Sequence, residues 1–100
     1  MTHARLATLG TKPGARDGLI ELLTRRADGL AELGCLLYEV GVNDDQPDTV
    51  FVAELWISES AHRASLELDS VRSSIAEAMP LLSGSMSSQG FEVVGPPLHD

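Results

Sequence analysis

The sequence is poor in cysteine and in basic residues, and both shortages exclude classes of protein. A single cysteine, Cys35, can form neither a disulfide within the chain nor a cysteine-based zinc site, so we expect it to pack as a small apolar side chain. Seven lysines and arginines stand against 15 aspartates and glutamates, which gives a net charge of −8. Nucleic acid and anionic membrane surfaces repel such a chain, and neither is expected as a partner.

Long apolar runs are also missing. No run approaches the roughly 18 residues that a membrane-spanning helix needs, and the first ten residues lack the apolar segment of a signal peptide. We therefore expect a cytoplasmic protein. The composition, 43% hydrophobic and 22% charged, is that of a globular protein, and 100 residues are enough for a single domain spanning residues 1–100. So short a chain builds only a modest core, which favours association with a partner chain.

The apolar pattern predicts elements in the order β, α, β, β, α, β, with the second helix broken in two. Pro13 suits the first turn of the first helix, and Ser58 and Asp69 are the predicted caps of the two later helices. This order is the ferredoxin-like pattern, an α+β fold in which helices cover one face of a four-stranded antiparallel sheet. The predicted ranges are a strand at 3–9, a helix at 14–31, a hairpin of strands at 35–42 and 49–57, a polar linker at 83–88 and a last strand at 91–94.

The third strand predicts how the protein assembles. Val50, Val52 and Trp56 point to one face of this strand, while Phe51 and Leu55 point to the other, so both faces are apolar. The helices of one chain can cover only one side of a four-stranded sheet. We therefore expect the other side to pack against the same face of a second copy, giving a homodimer.

Four segments of the sequence stand out when they are taken together and in order. They are Lys12-Pro13-Gly14 with Leu19 and Leu22-Leu23, Gly34-Cys35-Leu36 with Tyr38-Glu39-Val40, Val50-Phe51-Val52 with Glu54-Leu55-Trp56 and Ser58, and Val93-Val94-Gly95-Pro96. Together these segments resemble the antibiotic biosynthesis monooxygenase family, also called the dimeric α+β barrel group. The resemblance implies a homodimer with an apolar cleft between the sheet and the helices of each subunit. Several members of that family oxidise phenols, quinols or anthrones with molecular oxygen and without a cofactor.

The resemblance also implies site residues. Trp56 stands where the anthrone-oxidising members carry a cleft tryptophan, and His62 stands where they place a tyrosine near the substrate. A histidine there is an able base because its ordinary pKa is about 6.5, so His62 is the candidate catalytic residue. Each of these residues also has a purely structural interpretation, as a core side chain or a solvated helix residue. The candidate substrate-binding residues are Trp56, Tyr38, Val52, Ser65 and Arg72, of which Arg72 is the candidate to hold an anionic oxygen.

Two positions depart from the family's patterns. Val52 replaces an asparagine of the anthrone-oxidising members. Ser65 replaces a histidine of the quinol-oxidising branch and a tryptophan of the haem-degrading members, so haem is not expected. No cluster of residues has metal-ligand spacing, and no cofactor is predicted. His3 and His99 lie near the chain ends, and we predict no role for either.

The sequence thus leaves two functions open. One is a cofactor-independent monooxygenase acting on a small aromatic quinol, phenol or polyketide, with His62 as its base. The alternative is a non-catalytic dimeric module of the same fold that binds a small molecule or serves a structural role.

Overall fold

The computed structural model describes residues 2–25 and 29–95. In these residues four strands pair antiparallel in the order β2-β3-β1-β4, which is the sheet order of the ferredoxin-like fold. The predicted α+β class is confirmed. The elements are β1 His3–Thr11, α1 Arg16–Leu23, α2 Leu30–Leu33, β2 Cys35–Gly41, β3 Thr49–Trp56, α3 Glu59–Ser65, α4 Asp69–Ala78, a 3₁₀ turn Met79–Leu81 and β4 Leu82–Glu92.

The first helical region is shorter than predicted. The single helix expected at 14–31 is wrong in extent, because α1 ends at Leu23 and α2 begins separately at Leu30. The Thr24 hydroxyl donates a hydrogen bond to the Ile20 carbonyl oxygen at 2.7 Å, and Gly29 adopts a left-handed backbone that a helix interior does not allow. Residues 26–28 of the predicted helix lie outside the described residues.

The last strand is longer than predicted. The linker expected at 83–88 is wrong, because these residues belong to β4, which pairs with β1 over most of its length. Serine has a low β propensity, and here pairing with a long neighbouring strand overrides it. One cross-strand contact joins the hydroxyls of Thr8 and Ser87 at 2.9 Å. The edge strand of the sheet is therefore polar on much of its surface.

The hairpin and the first of its two following helices form as predicted. Ser58 accepts a hydrogen bond from the Ala61 backbone N–H at 3.1 Å and so caps α3. Asp69, the predicted cap of α4, is instead the first residue of that helix, and the extended residue before it, Leu68, occupies the capping position. In the described part of the chain no helix is long and apolar enough to span a membrane.

The two faces of the sheet differ in what covers them. On the helix face, α1 and α4 pack on β3 to form the core, whose buried members are Leu19, Leu22, Val50, Val52 and Ala78. The opposite face, which we call the outer face, combines apolar residues with the polar residues Thr8, Glu39, Ser87 and Gln89. Its apolar residues include Leu6, Phe51, Ala53, Leu55 and Phe91, and none of the described elements covers this face. Leu6 is 52% exposed and Phe91 is 47% exposed.

Candidate active site

A cleft of about 830 Å³ opens between the helix face of the sheet and the four α-helices. Its walls are mostly apolar. Several large apolar side chains that are exposed to solvent line it, namely Leu36, Leu66, Ile75, Met79 and Met86. A concave apolar space of this size with a few polar groups is the usual form of a small-molecule site.

Strand register gathers the polar groups at one end of the cleft. Directly paired residues on neighbouring strands share a face, so two rows of side chains run across β2, β3 and β1. The rows are Cys35, Trp56 and His3, and next to it Tyr38, Glu54 and Arg5. His62, from α3, lies above the first row. We call these seven residues the polar end of the cleft, although His3 and Arg5 lie next to the cleft and are not part of its lining.

Trp56 is the centre of the polar end. Its side chain is 1% exposed, and its indole Nε1 donates a hydrogen bond to Oε1 of Glu54 at 3.1 Å. The His62 ring meets the indole edge-on, with ring centroids 5.5 Å apart and planes at 72°. Trp56 therefore fills the core and lines the cleft at once, so its two interpretations from sequence are compatible.

His62 is held by a short, well-capped helix. Ser58 caps α3 at one end, and the Ser65 hydroxyl donates a hydrogen bond to the His62 carbonyl oxygen at 2.5 Å. Burial lowers the pKa of His62 below its ordinary 6.5, and the nearby charges of Arg5 and His3 lower it further. The neutral imidazole, which can accept a proton, is therefore the favoured form near neutral pH.

The acidic groups of the polar end hold their protons more tightly than usual. Burial raises the pKa of Glu54, while the Trp56 hydrogen bond, Arg5 and His3 oppose the rise. Burial also raises the pKa of Tyr38 to about 12, with smaller contributions from Glu54 and Cys35. Burial raises the pKa of the Cys35 thiol as well. Tyr38 thus offers a hydrogen-bond donor, and Cys35 is a poor nucleophile.

Comparison with known proteins decides the family. The sequence model of the antibiotic biosynthesis monooxygenase family matches residues 2–77, about three-quarters of the chain. The chain belongs to the antibiotic biosynthesis monooxygenase family. A protein from Chloroflexus aurantiacus named for the same family is 31% identical, with 98% of this chain and 99% of that chain covered and a TM-score of 0.81.

More distant solved structures show the fold alone. A Nitrosomonas europaea protein named for the family reaches a TM-score of 0.85 at 9% identity, covering 95% of this chain and 92% of that one. A Pseudomonas aeruginosa protein reaches 0.81 at 18% identity, covering 94% and 95%. A search among curated proteins finds no match to the chain.

The cleft of this antibiotic biosynthesis monooxygenase family member brings together most of the site residues predicted from sequence. Trp56, Tyr38, His62 and Ser65 all line it. Val52 does not line the cleft and lies in the core cluster under α1.

Arg72 lies away from the predicted site. It is on α4 outside the cleft lining, where it pairs with Glu67 and donates to the Leu66 carbonyl oxygen at 3.4 Å. The structure thus gives Arg72 partners on the protein surface and leaves it no contact with the cleft.

Three residues of the polar end were not among the sequence candidates. Glu54 and Arg5 were overlooked, and His3 was predicted to have no role, yet its ring is 3% exposed and lies 6.4 Å from that of His62. The signal in the sequence was the two-residue alternation of strands, which places Glu54 on the face of Trp56 and Arg5 on the face of His3. His99 lies outside the described residues.

Proposed function

We propose that this chain is a cofactor-independent monooxygenase that oxidises a small aromatic quinol, phenol or polyketide with molecular oxygen, and that His62 is its general base. One observation carries the proposal. The His62 imidazole, whose lowered pKa favours the neutral form, stands edge-on to Trp56 at the polar end of an open apolar cleft. A base at the end of an apolar cleft suits an apolar substrate that carries an acidic hydroxyl group.

The chemistry needs only the substrate, oxygen and a proton acceptor. His62 takes the proton from the phenolic or enolic hydroxyl, which leaves an electron-rich anion. The anion reduces molecular oxygen and forms a carbon–oxygen bond to it, and loss of water then yields the oxidised ring. The substrate supplies all four electrons, one oxygen atom enters the product, and the other leaves in water.

The surroundings of His62 support this sequence of events. The mostly apolar walls offer few polar groups to solvate the substrate anion, so its electrons are more available. Tyr38, whose raised pKa keeps its hydroxyl protonated, can donate a hydrogen bond to the developing oxyanion. A purely structural module would be expected to fill this space with side chains, whereas the cleft is open.

We also propose that the protein works as a homodimer joined through the outer face. Leu6 and Phe91 are about half exposed there, beside the partly buried Phe51, Ala53 and Leu55. Apolar surface of this kind gains roughly 25 cal/mol for each Å² that a partner removes from water. A second copy of the same face supplies a matching apolar surface, as a two-fold interface requires.

Oxygen uptake tests the catalytic proposal. Purified protein without added cofactor is given a panel of quinols, anthrones and polyketide phenols, next to a His62→Ala variant and an Arg63→Ala control. Arg63 is exposed on the same helix, and among the described residues it pairs with Glu59 alone and does not line the cleft, so its loss leaves the cleft intact. Uptake that persists in Arg63→Ala and disappears in His62→Ala supports the proposal, and a panel with no uptake in wild-type dimer contradicts it.

A further inference from the structure

His3 is a buried histidine that packing alone does not explain. Its side chain is 3% exposed, and neither ring nitrogen has a hydrogen-bond partner within residues 2–25 and 29–95. An unpaired buried polar group destabilises the folded state, and an apolar ring of similar shape would avoid this loss. The role of His3 therefore lies in the contacts of its ring.

Those contacts form a small platform under His62. His3 and Trp56 face each other on neighbouring strands, β1 and β3. The His62 ring lies 6.4 Å from His3 with planes at 39°, and 5.5 Å from Trp56 with planes at 72°. One ring from each strand thus packs against the imidazole that α3 supplies.

We propose that His3 is a positioning residue for His62, and that its ring acts with that of Trp56 to fix the orientation of the His62 imidazole in the cleft. The catalytic consequence rests on the proposed function, because it assumes that His62 is the base. The positioning itself is measurable without turnover.

A glycine on the neighbouring edge strand makes room for this arrangement. A Cβ atom at Gly90 would lie 2.9 Å from Nη1 of Arg5 and 3.0 and 3.1 Å from Cε1 and Nε2 of His3. The end of the Arg5 side chain can swing away, but the His3 ring is packed against His62. A side chain at Gly90 would therefore disturb the position of the His3 ring.

The titratable groups near His62 lie on three strands, β1, β2 and β3. Arg5 and His3, on β1, both lower the pKa of His62. Glu54, on β3, is tied to the Trp56 indole, and Cys35 and Tyr38, on β2, hold their protons because burial raises the pKa of each. Replacing His3 with an uncharged ring should therefore raise the pKa of His62 toward its ordinary 6.5.

Proton NMR titration of the histidine rings in full-length protein tests the proposal. The chain has three histidines, so single replacements assign every ring resonance. In His3→Phe the ring is kept, and we expect the pKa of His62 to rise and the acidic limb of the oxygen-uptake rate to move up with it. In His3→Ala the ring is lost, and we expect the His62 ring protons to lose their Trp56 ring-current shift and kcat to fall about tenfold to a hundredfold with little change in KM.

Gly90→Ala disturbs the contact between the His3 and His62 rings without changing a titratable group. It should shift the His62 ring resonances in the same spectrum. If His3→Ala does not fold, His3→Phe and Gly90→Ala decide the matter. Unchanged His62 resonances and pKa in folded His3→Phe and Gly90→Ala overturn the proposal. Absence of oxygen uptake in the wild type instead contradicts the proposed function, and the NMR result still decides whether His3 positions His62.

Discussion

The indole Nε1 of Trp56 donates a hydrogen bond to Oε1 of Glu54 across 3.1 Å, at the end of a cleft whose walls are mostly apolar. The two residues are neighbours on one face of β3, so the strand itself sets their spacing. The bond orients the indole against which His62 packs. It also places a carboxyl group where burial disfavours its charge.

Replacing Glu54 with glutamine should stabilise the protein at high pH. Burial raises the pKa of Glu54 above its ordinary 4.5, so the folded state binds that proton more tightly than the unfolded state. The wild type therefore loses stability as pH rises from about 4.5 through the raised pKa, whereas the glutamine, which still accepts the Trp56 hydrogen bond, does not. We expect Glu54→Gln to unfold at a higher temperature than wild type at about pH 8 and at a similar temperature at about pH 4. A stability difference that is the same at every pH would contradict this assignment of cause.

Activity should fall only at pH values below the ordinary pKa of histidine. The pKa of His62 is lowered from 6.5, so the proton-accepting form persists as pH drops until the lowered pKa is reached. The same shift means that the stability contributed by neutral His62 is present above about 6.5 and is lost as pH falls through the lowered value. This fall in activity at low pH, the acidic limb of the pH profile, is checked by measuring kcat/KM against pH with a substrate that does not ionise in this range. An acidic limb centred above pH 6.5, or one that is still present in His62→Gln, would contradict the role of His62 as the base.

Replacing either of two similarly exposed leucines with lysine should affect the oligomeric state differently. Leu6, on the outer face, is 52% exposed, and Leu36, in the cleft wall, is 56% exposed. We expect Leu6→Lys to convert the dimer to a monomer, because it places a charge in each half of a two-fold interface. Leu36→Lys is the matched control and should remain dimeric. Sedimentation equilibrium distinguishes the species, and a monomeric wild type or a dimeric Leu6→Lys protein would argue against the proposed interface.

A core substitution should lower stability, whereas a cleft-wall substitution should weaken substrate binding. Val50 is fully buried in the core outside the cleft lining, and Val50→Ala should lower the free energy of unfolding by about 2 kcal/mol. Met79 is 61% exposed in the cleft wall, and Met79→Ala should cost less than about 1 kcal/mol while raising KM several-fold. Urea denaturation and steady-state oxygen uptake measure the two effects. An unchanged KM in Met79→Ala would place the substrate away from that wall.

The sequence predicted most of the fold because most of its signals are local. The hairpin of β2 and β3 is marked by turn-forming residues between two apolar runs, and Ser58 caps α3 as expected. The serine-rich first part of β4 was missed because its residues have little intrinsic preference for a strand, and pairing with β1, at the other end of the chain, determines its structure.

The candidate site was predictable only in part, for a similar reason. Trp56, His62, Tyr38 and Ser65 came from the family resemblance, and all of them line the cleft. His3 meets Trp56 through the pairing of distant strands, and no local pattern shows which residue will face which.

Labelled oxygen tests the central claim most directly. Wild-type protein, stripped of cofactors and given an oxidisable quinol or anthrone under ¹⁸O₂, should form a product that carries a single labelled oxygen atom. His62→Gln should form almost none of it, and Arg63→Ala should form as much as the wild type. A product without label, formed together with hydrogen peroxide, or a labelled product formed equally well by His62→Gln, would contradict the account.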